Sequence, residues 1–280
     1  MRKSGLGLSL PKHELKIYQA VGQCIYCGST KQLTREHIIP HSAGGRWVLP
    51  ESSCKSCATI TGKFEGEVAR TIIGPLRMLY DLPTRRKKDR PETLPLKVKY
   101  AHSADWETVE VDRDICPFLV GLPLYPMPDE VTGDVQKAIR SAATSQFWIR
   151  GAGFWRNKDK HFEYLCKTLG VIAIMPSATI ASEPFCLMIA KIAHSFAIAE
   201  MGLRAFDPFL PYMIRTRDTS NCRQYIGGGT GNEPASSDLH NLTIDRIVGS
   251  VHDVVTVRVR ILGILETPTY FVAVGRSRKA

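Results

Sequence analysis

Two hydrophobic periods run along this chain, and together they predict both kinds of secondary structure. Apolar side chains recur at every fourth residue in one segment, at Phe64, Val68, Ile72 and Leu76. This spacing predicts a helix that buries one face, and Gly74-Pro75 predicts a break in that helix. Near the C-terminal end the period is two, because valine or isoleucine alternates with threonine or arginine from Val255 to Ile261. That alternation predicts a half-buried strand.

The pattern after residue 92 predicts further strands and helices. Leu94–Tyr100 and Thr108–Val111 are typical of a short strand pair, and Tyr270–Val274 can pair with the strand that ends at Ile261. Lys160–Leu169 has a helical pattern and is followed by a glycine that can end the helix. The chain is therefore predicted to have an α+β fold with antiparallel strands.

The longest apolar run, Phe185–Met201, predicts a buried helix that starts near Ser182. A membrane span needs about 20 apolar residues with almost no charge. This run contains Lys191, His194 and Glu200, so we expect no membrane partner. We interpret these three residues as a satisfied polar cluster in the core, with a functional pocket as the less common alternative.

The net charge of +10 lies in the first third of the chain. Residues 1–100 contain 18 lysines and arginines against 8 acidic residues, whereas the remaining residues contain 19 of each. A one-sided positive field suits a polyanion such as nucleic acid or a membrane surface. Residues 84–92 are rich in arginine and lysine, which predicts an exposed basic linker or an arm that contacts phosphates. With no signal-peptide pattern at the N-terminus, we expect a cytoplasmic protein.

Four of the eight cysteines form two close pairs, Cys24-x2-Cys27 and Cys54-x2-Cys57. Each pair offers two thiolates on one side of a tight turn, and two pairs supply the four tetrahedral ligands of a closed structural zinc site. A single pair would also suit a thiol redox protein, but two pairs favour zinc. With four thiolates bound, the ion has no position for a reacting water. The other four cysteines are interpreted as buried free thiols: Cys116, Cys166, Cys186 and Cys222.

The segment between the cysteine pairs contains Glu36-His37, Ile39-Pro40 and Gly44-Gly45, and Thr61–Glu65 follows the last cysteine. In this combination, residues 20–66 resemble the HNH endonucleases, which are nucleases of the ββα-metal fold. The resemblance implies an N-terminal zinc-stapled ββα-metal module followed by a larger α+β domain.

The basic linker and the change in composition after it predict a division of the chain into three parts. Residues 1–83 would be the nuclease module with an N-terminal extension, and residues 84–92 the basic linker. Residues 93–280 would form the α+β domain, whose role the sequence leaves open.

The resemblance gives the residues of this module chemical roles. His37 would be the general base, since imidazole accepts protons near neutral pH. Glu36 would hold a divalent ion that stabilises negative charge on the phosphate. Oxygen ligands indicate Mg²⁺ or Mn²⁺. The residues expected to contact nucleic acid are Arg35, His41, Arg46, Lys55 and Lys63, with a structural role as the alternative for His41.

Two family positions differ in this chain. The asparagine that braces the loop of the base is missing, and Ser52 or Ser53 could replace its hydrogen bond. The last metal ligand of the family falls on Ala58, which cannot bind a metal. Positions 58, 61 and 65 share one helix face, so Thr61 and Glu65 are candidate ligands of a displaced ion.

The leading hypothesis is a metal-dependent endonuclease that hydrolyses DNA phosphodiester bonds, with RNA as the alternative substrate. The rival hypothesis is a zinc-stabilised module that binds nucleic acid without hydrolysing it. The sequence leaves open whether the protein forms a homodimer.

Overall fold

The structure is a computed structural model that describes residues 10–84, 90–113, 115–133, 142, 144, 146–152, 158–229, 233–248 and 253–278. Most of the predicted basic linker, residues 85–89, lies outside the described residues. Within the described part, helices combine with four sheets in which nearly all strand pairs are antiparallel. The predicted α+β class is confirmed.

The cysteine-bearing part is a three-stranded sheet followed by a long helix. Its elements are β1 (Lys16–Ile17), β2 (Leu33–His37), β3 (Trp47–Cys54), α1 (Lys55–Arg70) and α2 (Gly74–Leu79). β2 and β3 form an antiparallel hairpin, and β1 pairs in parallel with the other edge of β3. α1 ends before the predicted break, and α2 begins at the glycine with proline in its first turn. The hairpin and α1 thus have the ββα arrangement that the resemblance implies.

Two smaller sheets follow in the chain. Their strands are β4 (Thr93–Lys99), β5 (Glu107–Asp112), β6 (Phe118–Pro123), β7 (Phe147–Ala152) and β8 (Ala173–Met175). β4 lies between β5 and β8, and β6 pairs with β7. The helices of this region are α3 (Asp129–Thr132) and α4 (Lys158–Leu169). The predicted strand pair near residues 94–111 is confirmed.

The C-terminal part contains the largest sheet. Its elements are α5 (Ser182–Met201), β9 (Phe206–Pro208), α6 (Pro211–Thr216), α7 (Cys222–Tyr225), β10 (Ile226–Gly227), β11 (His240–Ile247), β12 (Val254–Ile261) and β13 (Tyr270–Ser277). The strand order is β10-β13-β12-β11, and β9 also pairs with β13. The predicted alternation of buried and exposed side chains in β12 fails at Thr256. This residue is buried, and its hydroxyl donates to the carbonyl of Asp245.

The central helix of the protein is α5. It has the length and composition of a membrane span, but 83 % of its most apolar window is buried inside the structure. One side of α5 packs against α1, and other contacts join it to β12 and β13. A continuous hydrophobic core therefore runs from the cysteine module through α5 to the large sheet. The division into residues 1–83, 84–92 and 93–280 stays a prediction.

Candidate functional site

The four paired cysteines come together at the junction of the hairpin and α1. The Sγ atoms of Cys24, Cys27, Cys54 and Cys57 all lie within 4.8 Å of one another. The Sγ atoms of Cys27 and Cys54 are 3.6 Å apart. Tetrahedral zinc with bonds of about 2.3 Å places its sulfur ligands about 3.8 Å apart. The cluster therefore fits a structural zinc ion with four thiolate ligands.

Local backbone geometry produces this cluster. The amide of Gly28 donates to the carbonyl of Cys24 at 2.9 Å, which closes the first turn, and Gly28 has a positive φ of 77°. Cys54 ends β3 and caps α1, so Cys57 lies in the first turn of the helix. The helix begins at Lys55, three residues before the position expected for the last catalytic ligand. Zinc would thus fix the start of α1 against the hairpin.

Strand alternation separates Glu36 from His37. In the β2–β3 register, Glu36 is opposite Leu49 and His37 is opposite Val48. Glu36 is buried, whereas His37 is half-buried. The ring of His37 lies 5.6 Å from the ring of exposed His41, centroid to centroid. The base candidate therefore faces an accessible surface, and the carboxylate faces the interior.

The loop that connects β2 to β3 needs its two glycines. Gly44 has a positive φ of 89°. A Cβ on Gly45 would lie 2.2 Å from the carbonyl oxygen of Ile39, which is a severe clash. Gly45 therefore lets the loop pack directly against the backbone of Ile39, in the same turn that places His41 near His37.

Glu36 meets a lysine from α5 and a second carboxylate from α1. Lys191 Nζ lies 2.6 Å from Glu36 Oε1 and 2.7 Å from Glu65 Oε1. Nζ also donates to the carbonyl of His37 and lies 3.3 Å from the carbonyl oxygen of Ile38. The Lys191 side chain has no exposed surface, and those of Glu36 and Glu65 are 6 % and 20 % exposed. We call Lys191, Glu36 and Glu65 the carboxylate–lysine cluster.

The charges of this cluster stabilise one another in a dry environment. Burial favours the neutral amine of Lys191, but the charges of Glu36 and Glu65 outweigh it and raise the pKa of Lys191. Burial raises the pKa of Glu65; Lys191 opposes this effect and Glu36 adds to it. Tyr26 is buried beside the cluster, and burial followed by the two carboxylate charges raises the pKa of its hydroxyl well above its ordinary value. The lysine is therefore held as an ammonium ion.

These residues do not fit a divalent ion in addition to the lysine. Lys191 Nζ already lies at hydrogen-bonding distance from both carboxylates that the ion would need. Thr61 is buried, and its hydroxyl donates to the carbonyl of Ala58 at 3.3 Å. Ala58 supplies no ligand atom. The structure thus brings two of the three predicted oxygen ligands together, but around an internal cation.

Ser52, one of the two serines expected to replace the missing asparagine, supports the hairpin. The hydroxyl of Ser52 donates to the carbonyl of Leu49 at 2.6 Å, and Leu49 is the strand partner of Glu36. Thr34 donates through its hydroxyl to the carbonyl of Ser53 at 2.9 Å. These bonds brace the two strands that carry Glu36 and His37.

The predicted nucleic-acid contacts are all exposed, namely Arg35, His41, Arg46, Lys55 and Lys63. Arg35 is next to Glu36 on β2, and Arg46 immediately precedes β3. The Arg46 amide donates to Nδ1 of His13 at 3.1 Å, which holds its backbone in place. Arg35 and Arg46 therefore give the hairpin exposed positive charge, and Lys55 and Lys63 add exposed positive charge on α1.

The predicted polar cluster of Lys191, His194 and Glu200 does not form, because each residue contacts the N-terminal part separately. One ring nitrogen of His194, Nε2, lies 2.9 Å from the carbonyl oxygen of Ile25. Glu200 pairs with Lys16 at 2.7 Å and accepts a hydrogen bond from Tyr18. The sequence showed three polar residues on an apolar helix, which was a signal of buried partners, but it could not identify them.

Comparison with known families agrees with this geometry. Residues 24–69 match a family model described as HNH endonuclease. The match begins at Cys24 and includes the hairpin and nearly all of α1. No curated protein and no solved structure matches the chain. The matched segment indicates a nuclease and hence a nucleic-acid substrate in general, whereas Lys191 lies outside it.

Proposed function

We propose that this protein is an endonuclease that hydrolyses DNA phosphodiester bonds, with His37 as the general base. The observation that carries the proposal is the half-buried position of His37, beside exposed His41, within a segment that matches HNH endonucleases. A base must be accessible to the water that it deprotonates. His37 meets this requirement, and Glu36 does not.

In this proposal the chain's own residues bind the phosphate and move the proton. Arg35 and Arg46 bind the phosphodiester, because guanidinium groups form paired hydrogen bonds with phosphate oxygens. His37 accepts the proton of the attacking water. His41 lies close enough to His37 to contact the same phosphate. Zinc held by Cys24, Cys27, Cys54 and Cys57 would keep the hairpin against α1, and four thiolate ligands would leave no open position for substrate.

The proposal assigns no Mg²⁺ or Mn²⁺ to Glu36, Glu65 and Thr61. Lys191 takes the contacts that such an ion would need, so no step is assigned to an ion there. The plasmid assay measures whether cleavage depends on added Mg²⁺ or Mn²⁺.

A second candidate function is nucleic-acid binding without hydrolysis. The carboxylate–lysine cluster favours it, because the family's metal position is occupied by a lysine and Ala58 contributes no ligand. The exposed positive charge on the hairpin and α1 would serve this function equally well. RNA remains the alternative polymer for both candidates.

A plasmid assay separates the two functions. Supercoiled DNA is incubated with the protein in Mg²⁺, in Mn²⁺ and in EDTA, and the zinc content is measured in each sample. The variants are His37→Ala and the matched control His102→Ala, which changes an exposed histidine outside the module. A labelled RNA is tested in parallel.

If His37→Ala abolishes nicking and His102→Ala still nicks the plasmid, the endonuclease function is supported. DNA binding without nicking under every metal condition supports the second candidate. Nicking that survives His37→Ala in a zinc-loaded protein contradicts the assignment of the base.

A further inference from the structure

We propose that Lys191 is the permanent cation of the Glu36–Glu65 pair, so that this chain does not load a divalent ion at that site. This inference rests on the HNH assignment of Glu36 and His37, but its test reads ion binding and does not require cleavage.

Burial is the first argument for a permanent lysine. Lys191 has no exposed surface, and its neighbours on α5 from Ile189 to Ala193 are also buried. A buried ammonium ion without partners is very unfavourable, so such a lysine persists only with anionic and carbonyl partners around it. Glu36 and Glu65 supply the charges, and the hairpin backbone supplies the carbonyl oxygens. Lys191 therefore depends on the same groups that a metal would use.

Charge and space give the second argument. A divalent ion bound by both carboxylates would lie where Nζ lies, between Glu36 Oε1 and Glu65 Oε1. Mg²⁺ also keeps several waters in an octahedral shell, and the buried side chains of Lys191 and Glu36 shield this position from solvent, with only the Glu65 side chain partly exposed. Loading such an ion would require the ammonium group to leave the core.

Access gives the third argument. A metal that assists phosphodiester hydrolysis has to touch the phosphate. Glu36 is 5 % exposed, and it lies on the face of β2 opposite to half-buried His37. A phosphate that reaches His37 from the accessible face does not reach the cluster behind the strand.

The backbone contacts of Lys191 add to its dependence on the hairpin. Nζ donates to the carbonyl of His37, the residue proposed as the base, and lies 3.3 Å from the carbonyl oxygen of Ile38. The ammonium group is therefore held by the strand as well as by the two carboxylates.

Titration with Mn²⁺ tests the proposal, with electron paramagnetic resonance and calorimetry as readouts on the zinc-loaded full chain. Wild type is expected to show no Mn²⁺ binding that depends on Glu36. Lys191→Ala, which removes the ammonium and leaves space, is expected to bind one Mn²⁺ at least tenfold more tightly than wild type. The matched control Lys191→Met removes the charge but fills the space, and it should not gain this site.

The dependence on Glu36 identifies the location of the ion. Adding Glu36→Gln to Lys191→Ala should abolish the new site. If wild type binds one Mn²⁺ and Glu36→Gln removes it, the proposal is overturned. That experiment needs no folded lysine variant. Folded Lys191→Ala that binds no more Mn²⁺ than wild type also contradicts the proposal. Either failure leaves the role of His37 in plasmid cleavage to be decided by its own assay.

Discussion

The ββα module has two polar centres that hold the same hairpin against the same helix. The cysteine cluster joins the hairpin to the start of α1 and would take its cation, a zinc ion, from solution. The carboxylate–lysine cluster joins β2 to the middle of α1 and takes its cation from α5. The first centre is complete within residues 24–57, and the second requires a residue more than 120 positions further along. Local sequence therefore specifies one centre but not the other.

The zinc ligands should give the largest effect. Cys57→Ser is expected to lose zinc and the cooperative unfolding of the module, because zinc binding by four thiolates is worth on the order of 10 kcal/mol. Metal analysis and thermal unfolding measure both effects. The matched control is Cys166→Ser, a half-buried thiol on α4 away from the cluster. One zinc per chain in Cys57→Ser, or less than one in untreated wild type, would show that the assignment is wrong.

The internal cation should come second. Lys191→Met leaves buried Glu36 and partly buried Glu65 without their counter-ion, and breaking such a pair costs up to about 3–5 kcal/mol of unfolding free energy. Adding Glu36→Gln and Glu65→Gln removes the uncompensated charge and should recover more than half of the loss. Urea denaturation of zinc-loaded proteins measures these changes. If the single variant and the triple variant are equally unstable, charge pairing is not the main contribution of this cluster.

The neutral side chain of His240 links the module to the C-terminal sheet, and this link should make the stability of the protein depend on pH. His240 Nδ1 accepts from the amide of Leu262, so Nε2 donates to the carbonyl of Ala43 at 3.1 Å. Burial, followed by the nearby charge of His13, lowers the pKa of His240 to about 3. Between pH 6.5 and the lowered pKa of about 3, the His240 side chain binds a proton in the unfolded chain but not in the folded chain.

Stability should therefore fall as the pH decreases below about 6.5, with up to about 1.4 kcal/mol per pH unit from this one group. Urea denaturation at pH 7.5, 6 and 5 measures the slope. His240→Gln should flatten the slope without removing it, because burial also lowers the pKa values of His13 and His194. The control His102→Gln should keep the wild-type slope. An unchanged slope in His240→Gln would contradict the buried neutral state.

The smallest effect is expected at the exposed pair between Lys16 and Glu200. Their side chains are 47 % and 35 % exposed, so water screens the interaction. Glu200→Gln should cost roughly 0–1 kcal/mol, and the cost should shrink in 1 M salt. The same denaturation series measures it. If Glu200→Gln lowers the unfolding free energy as much as Lys191→Met does, then the difference in exposure between Lys16 and Lys191 does not determine how much each pair contributes.

Elements with strong local signals were predictable from the sequence. The cysteine spacing predicted the metal cluster, and the fourfold and twofold periods predicted α1 and β12. The start of the helix at Ser182 was predicted closely from its apolar run, but the expected serine cap was wrong, because Ala181 is the N-cap and no side chain caps the helix. The exposed positions of the basic residues also agree with their proposed contacts, although that role stays a prediction.

Long-range pairings were not predictable in the same way. β1 has only two residues and pairs in parallel with β3, so it has no period to detect. Glu65 was identified as a partner of Glu36 from helix spacing, but the cation between them was expected to be a metal. Lys191 is separated from His37 by 154 positions, and one sequence contains no signal that joins them. Tertiary packing, which brings α5 against α1, decides these contacts.

The packing of α1 against α5 has a practical consequence for anyone who shortens the gene. A fragment that stops after residue 83 would keep the four clustered cysteines and the whole matched segment. It would also present the apolar face of α1 to solvent and open the Glu36–Glu65 pair to ions from the buffer. Ion affinities measured on such a fragment would then describe a site that the full-length chain keeps closed, so cofactor assignments should come from the intact polypeptide.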